Sequence, residues 1–527
     1  MIFILLVGFF LRLYKLDWGE GLYTHPDEYH IATSVSQLVF PTQMHPHFFS
    51  YGTVTIYLIY FTQEIIKHLY SIFNPFLIGR FYSALFSTLT ILIVYKICRS
   101  FMERRFSYLT ALLVTLTPGL IQQAHFATPE SALIFFLFGS LLFIIKFLKH
   151  DKFLYLALAS VFLGFALGVK ISSAVFLLPI FAGIIIKFVR KPFRLILFTI
   201  TSFTIAIATF AVAAPFVFLD FPAFRGNLEY EGALAVGKIP IFYTRQFIDT
   251  VPVLFQIEKI LPYALGPALL FMGILGLLSL VVAIMKKPKA EPLLILIAFF
   301  SIFIPNAFLF AKWTRFIAPT FPFFAIFSVF LFNKIEKKSR VLTLFLFVIL
   351  AITTLIWTAA FFSIYAKTDV RITTSSWIEK NLQQNATILV EGGNMIDVPL
   401  RGSFQKISLD FYNLENNPED RQKVINSLSE ADYFIIQSRR VFLNHQRLKN
   451  QFPKTAHFYD MLFNGRLGFG KIKQFSSYPK LSFLGFGLEL PDENAEETWS
   501  VFDHPVIRVF KKTKQLSKEE YAKFFEI

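Results

Sequence analysis

The chain has 527 residues, 55% hydrophobic and 18% aromatic but only 16% charged, with a net charge of +16. A soluble globular chain carries about a quarter charged residues, so this composition excludes disordered, collagenous and disulfide-scaffold architectures and indicates a polytopic α-helical membrane protein. Of the 51 basic and 35 acidic residues, 29 and 15 lie at or before Tyr365, leaving +14 there and +2 after it; a nearly balanced tail excludes a nucleic-acid partner and ties the surplus to membrane topology.

Apolar runs fall at 1–14, 51–73, 80–97, 106–123, 130–148, 153–168, 170–189, 195–219, 262–285, 292–310, 315–333 and 341–365. Most approach the ~20 residues that cross a bilayer core. The first, Met1 to Tyr14, would rise only about 21 Å as a helix. It has no basic flank and no small-residue cleavage site, and is expected to be a short, retained span. Lys and Arg cluster in alternate connections: Arg99, Arg104 and Arg105; Lys146, Lys149 and Lys152; Lys187, Arg190, Lys191 and Arg194; Lys286, Lys287 and Lys289; Lys334, Lys337, Lys338 and Arg340. The positive-inside asymmetry puts these in the cytoplasm. Counting 51–73 as a crossing would reverse that parity, and its polar stripe of Gln63, Glu64, Lys67 and His68 would be costly in mid-bilayer, so it is expected to lie along the outer interface. About eleven spans remain, with the N-terminus cytoplasmic, outer loops at 15–79 and 220–261, and 366–527 outside the plasma membrane. The tail alternates helical and strand patterns, Ser375–Gln383 before Ala386–Glu391 and Pro418–Leu428 before Tyr433–Gln437, which predicts a small α/β layer. Asp503-His504, on what looks like the edge of a strand, reads as a turn or hydrogen-bonding pair.

The chemistry-bearing residues lie in the first outer loop and at the span ends on its face. His25-Pro26-Asp27-Glu28 places two adjacent carboxylates a dozen residues past the first span, and neighbours diverge by ~100° on a helix, so one can face a site while the other is held structurally. Glu130 opens a span on the same face, with Pro129 suited to the first helical position and Thr128 to the cap; it also suits the helix dipole there. Arg12 and Arg80 sit at outer span ends, where they either snorkel or bind an anion. His25, His30, His45 and His47 are close enough to hold a metal with an acid, against the more common role of plain hydrogen bonding.

Leu11-Arg12-Leu13-Tyr14, Asp27-Glu28, His47-Phe48-Phe49-Ser50-Tyr51-Gly52, Arg80, Thr128-Pro129-Glu130, Gly164 to Lys170, and Lys312-Trp313-Thr314-Arg315-Phe316-Ile317-Ala318-Pro319, in that order, resemble the protein O-mannosyltransferase and aminoarabinose transferase families over about 1–365. These are membrane glycosyltransferases of the GT-C fold. The resemblance implies inverting transfer of a sugar from a polyprenyl-phosphate donor to a glycan, lipid or protein acceptor on the outer face. Many relatives carry Asp where Glu130 stands. The catalytic set it implies is Asp27, as base, with Glu28 and Glu130. Arg12, Arg80, Lys170 and Arg315 would bind the donor phosphate, and His25, His30, His47 and Tyr51 would serve the acceptor or the loop. A lipid phosphate leaves without a strong general acid, whereas an acceptor hydroxyl must lose its proton, so one carboxylate is the minimum equipment. No metal ligand is assigned, and a divalent cation remains open. The alternative function is a transporter or flippase for lipid-linked or anionic substrates, which would require discontinuous helices and buried intramembrane charges. The tail is expected to be an accessory domain without catalysis.

Overall fold

The computed structural model describes residues 1–67, 74–393, 396–483 and 486–526. It divides into a helical unit of Met1–Leu16, Pro26–Ile239 and Asp249–Phe362 and an α/β unit of Asp17–His25, Pro240–Ile248 and Ser363–Ile527. The α/β unit thus takes in two segments that sequence assigned to the outer loops. Long-range hydrogen bonds hold them: Thr24 Oγ1 donates to the Phe502 carbonyl at 2.5 Å, and Gln246 Nε2 to Glu496 at 2.8 Å.

In the helical unit, α1 (Ile2–Leu13), α2 (Pro26–Ser36), α3 (Thr53–Lys67), α4 (Pro75–Arg99), α5 (Arg104–Thr115), α6 (Pro118–Ala124), α7 (Glu130–His150) and α8 (Phe153–Val169) come first. Among the described residues eight helices are long and apolar enough to cross a membrane: α4, α7, Ile171–Phe188, Pro192–Ala213, Pro267–Lys286, Ala290–Phe308, Thr314–Glu336 and Arg340–Ala366. Three expected spans depart from that standard. α1 and α8 are shorter, and the 106–123 run breaks between α5 and α6, because Pro118 has no N–H to continue the helix. α3, with 15 residues, is not among the eight; its Gln63 is buried and Glu64 pairs with Lys67 at 2.7 Å. His68, the last residue of the expected stripe, lies outside the described residues.

Burial sorts the helices into an inner and an outer set. α7 and Thr314–Glu336 are 78% and 83% buried along their apolar windows, against 17% for Pro192–Ala213 and 22% for Arg340–Ala366, so the first two form the centre and the others present apolar faces outward. Basic connections meet in pairs: Arg105 contacts Glu336 at 2.6 Å, and Lys187 contacts Asp151 at 3.0 Å. Small residues let the helices close. A Cβ at Gly276 would lie 2.0 Å from the Phe327 carbonyl oxygen, so Pro267–Lys286 touches Thr314–Glu336 at backbone distance. Gly276→Ala must separate them, and an overpacking cost of about 1–3 kcal/mol is expected; a lowered midpoint of thermal unfolding in detergent checks it.

The α/β unit is built on a five-stranded sheet in the order β2-β1-β3-β7-β4, from β1 (Thr387–Glu391), β2 (Gln405–Leu409), β3 (Tyr433–Ile436), β4 (Phe469–Phe475) and β7 (Ile507–Lys512). β1 runs parallel to β2 and β3, while β7 is antiparallel to β3 and β4. A separate hairpin pairs β5 (Lys480–Phe483) with β6 (Phe486–Glu489). Leu389, Phe434 and Phe510 enter one core and Ile388, Val390, Ile435 and Val509 another, the two-residue alternation of a sheet covered on both faces. The expected helices form as Val370–Asn381 and Pro418–Glu430, the first starting earlier because Asp369 caps it through the Arg371 N–H.

Asp503 and His504 are not at a strand edge; both are buried in a turn before β7. His504 Nδ1 meets Asp503 at 2.5 Å, its Nε2 meets Asp492 at 2.8 Å, and the Tyr365 hydroxyl donates to Asp503 at 2.9 Å. Burial opposes the imidazolium, but the Asp492 and Asp503 carboxylates outweigh it and raise its pKa from 6.5 to about 10. A raised pKa adds stability that is fully present below about pH 6.5 and lost as pH rises through about 10. Thermal stability of this unit should therefore fall across that window, and His504→Gln should flatten the dependence.

Candidate active site

Pro26 starts α2, which puts Asp27 and Glu28 in its first turn and turns their side chains apart. Glu28 faces inward and is fully buried. Its Oε1 accepts from Arg80 Nε at 2.7 Å and from the Ala127 N–H at 2.8 Å, and its Oε2 accepts from Arg80 Nη2 at 3.0 Å. Arg80, equally buried, also donates through Nη1 to the Leu16 carbonyl at 2.6 Å. The pair ties α2 and α4 to the segment that leads into α7. Arg80 therefore neither snorkels nor faces a ligand, and Glu28 positions its neighbours.

Arg12, the second expected phosphate ligand at a span end, is also fully buried. Its guanidinium donates to Ser87 Oγ at 2.7 Å, to the Gly8 carbonyl at 3.1 Å, and to the Val114 and Thr115 carbonyls at 3.2 Å each. Those last two carbonyls end α5, where the helix breaks before Pro118, and Val114 also accepts from the Thr117 N–H at 3.4 Å, so Arg12 adds donors at a helix terminus.

The other expected residues converge. Arg315 Nη1 donates to Asp27 Oδ2 and, at 3.1 Å, to the Tyr51 hydroxyl. Lys170 Nζ donates to Glu130 Oε1 at 3.4 Å and lies 5.5 Å above the Tyr51 ring and 5.0 Å from that of Phe316. Trp313 stacks under the Arg315 guanidinium at 5.1 Å. Each position has a local cause. Glu130 is the first residue of α7, with Pro129 as its cap, one place later than expected. Lys170 is the extended residue that ends α8. Tyr51 is held by the next residue, whose N–H donates to the Val169 carbonyl at 2.9 Å; a Cβ on Gly52 would lie 2.0 Å from the Gly168 oxygen, so only glycine fits that approach.

Two carboxylates and two cations thus alternate around a phenol. Burial pushes the Tyr51 phenol well above its usual range, so it stays protonated. Burial lowers the Lys170 ammonium, opposed by the Glu130 carboxylate. Glu130 Oε2 and Arg315 Nε are buried without a hydrogen-bond partner, a capacity for one more acceptor and one more donor. Beside Lys170 and Arg315 a small cavity of about 30 Å³ is lined by Leu133, Leu137, Ser173 and Asn306. The two polar residues belong to apolar runs and gave no signal in sequence.

Of the four histidines, His45 and His47 meet ring to ring at 4.1 Å. His25 stands in the α/β unit against Phe502 at 4.4 Å, and His30 stacks on Phe48 at 5.6 Å. His45 meets Asp220 at 3.2 Å, and His47 lies 2.8 Å from Gln43. Among the described residues no three His, Cys, Asp or Glu side chains are grouped to hold a metal.

A helical bundle that carries this cluster, followed in the chain by an α/β unit, has the GT-C fold. Residues 54–217 match the family described as dolichyl-phosphate-mannose-protein mannosyltransferase. The Archaeoglobus fulgidus oligosaccharyltransferase, in its complex with Zn and sulfate, is similar at 14% identity over 87% of this chain and 70% of that one, with a TM-score of 0.51. The same enzyme tethered to an acceptor peptide is similar at 16% identity, 87% and 70% coverage and 0.50. ArnT from Cupriavidus metallidurans, bound to undecaprenyl phosphate, shares 14% identity over 85% of this chain and 94% of its own, at 0.49. No curated protein matches the chain by sequence.

Removing one partner of a buried ion pair leaves an uncompensated charge at a cost of about 3–5 kcal/mol. Arg80→Gln should therefore lower the yield of folded protein and its unfolding midpoint. A variant as stable as the parent, but deficient in binding undecaprenyl phosphate, would return Arg80 to a phosphate-binding role.

Proposed function

We propose that the chain transfers a sugar from a polyprenyl-phosphate donor to an acceptor hydroxyl, or an amine-bearing glycan, lipid or protein, at the outer face of the plasma membrane. The alternation of basic connections along the sequence supports a cytoplasmic N-terminus and an α/β unit outside. The observation that carries this reading is the buried set of Asp27, Glu130, Lys170 and Arg315, with one acceptor and one donor atom still unpartnered. The matched mannosyltransferase family supports a lipid-linked donor.

Arg315 and Lys170 hold the donor phosphate and offset the charge it gains as the C–O bond breaks. The phosphate competes with Asp27 for Arg315. Asp27 is then released toward the acceptor and takes its proton as the acceptor attacks the anomeric carbon. A single displacement with a departing phosphate inverts the anomeric configuration and needs no enzyme nucleophile. Tyr51 stays protonated and fixes Arg315. Glu130 holds Lys170 and remains the second candidate base. A transporter would need charges distributed along a path, whereas Arg12, Glu28 and Arg80 are locked in helix contacts.

Asp27→Asn should reduce sugar transfer by ~10²–10⁴, the worth of a general base, while the purified protein still binds undecaprenyl phosphate. The readout is single-turnover transfer from an undecaprenyl-phosphate sugar. Turnover above a tenth of the parent's would move the base role to Glu130.

A further inference from the structure

The α/β unit contains a cleft of about 510 Å³ lined by Gly393, Asp397, Leu400, Phe404, Lys406 and Ser408, among other residues. It runs along β2, from Phe404 just before the strand through Lys406 to Ser408, with Gly393 just past the carboxyl end of β1; open α/β sheets place ligands at such ends. Its polar wall is set in advance. Asp397 Oδ1 accepts from Gln437 Nε2 at 2.7 Å, and its Oδ2 accepts from Ser408 Oγ at 2.8 Å and Lys406 Nζ at 2.6 Å. Gln437, the residue after β3, also donates to the Glu391 carbonyl at 2.9 Å and accepts from the Val398 N–H, so it anchors the loop to two strands. The opposite wall is apolar: Phe404 and Leu400 pack against the core beneath them.

The ligand class follows from what the cleft has and lacks. Ligands at such strand ends are often phosphates, held by a helix N-terminus. Here no helix lies between β1 and β2 among the described residues, and the Lys406 ammonium is already balanced by Asp397. What remains are an aligned carboxylate, a hydroxyl able to accept, an ammonium with protons to spare and a flat hydrocarbon wall. Hydroxyls on one edge and C–H groups on one face describe a pyranose ring. The volume falls within the ~300–1,000 Å³ of small-molecule sites. We propose that this cleft binds a neutral saccharide, with Asp397, Lys406 and Ser408 on its hydroxyls and Phe404 against its apolar face. The site stands on its own geometry and does not depend on the role of Asp27.

Hydrogen–deuterium exchange of the full chain in nanodiscs tests this, with mannotriose, maltotriose and chitotriose as probes and inorganic phosphate and uridine diphosphate as controls. At least one trisaccharide should slow exchange across 396–408 saturably, and neither control should. Ser408→Ala and Phe404→Ala should each raise the half-saturating concentration at least tenfold without changing exchange in β3 and β7. Should Phe404→Ala disturb those strands, Ser408→Ala and the parent protein decide. Protection by none of the trisaccharides, equal protection by the controls, or unchanged half-saturation in Ser408→Ala overturns the proposal.

Discussion

The buried pair of Glu28 and Arg80 is the contact on which the helical unit's site depends. A carboxylate and a guanidinium with no exposure are tolerated only if nearly every polar atom is matched, and here three Arg80 nitrogens and both Glu28 oxygens are used. The Ala127 N–H on Glu28 sets the approach to α7, and hence where Glu130 begins. The same first turn of α2 that sends Glu28 inward sends Asp27 to Arg315. One local helix start therefore fixes two carboxylates with opposite duties.

Around that frame the cluster of Asp27, Tyr51, Glu130, Lys170 and Arg315 is electrically near balance and sterically tight. Two cations lie between two carboxylates, and the Glu130 carboxylate opposes the lowering that burial imposes on the Lys170 ammonium. A donor phosphate would enter as a third anion, and each cation it engages loosens a carboxylate. That exchange links donor binding to release of the proposed base, and it needs no movement of the surrounding helices. Backbone contacts at Gly52 and Gly276 make those helices stiff.

The α/β unit handles its buried charge differently. His504 between Asp492 and Asp503 is a closed, ion-paired knot in the core, while Asp397 with Lys406 and Ser408 lies open to a cleft. Matching donors stabilise both carboxylate sets, but only the second has room beside it.

Periodicity and charge carried much of the architecture in the sequence itself. Apolar runs gave the long helices and the alternation of Lys and Arg marked one end of the bundle, because lipid burial and topology act on stretches of local composition. Short strand-like apolar runs between helical patterns marked β1 and β3 for the same reason. The spacing of Asp27 and Glu28 showed that the two acids must diverge, and the motif resemblance pointed to Lys170 and Arg315. Which acid would face the cluster could not be read, since that depends on Arg80 and Ala127, 52 and 99 residues away from Glu28. Arg12 and Arg80 looked like ligands because a basic residue at a span end has the same local pattern whether it caps a broken helix or meets a phosphate. The segments 17–25 and 240–248 were placed with the loops because their partners lie more than 160 residues away or beyond. Sequence alone determined the apolar helices, their charge asymmetry and the strand pattern, all properties of neighbours along the chain; tertiary structure decided which charges were consumed as struts and which were left facing one another, because hydrogen-bond saturation in a buried site is settled by distant residues.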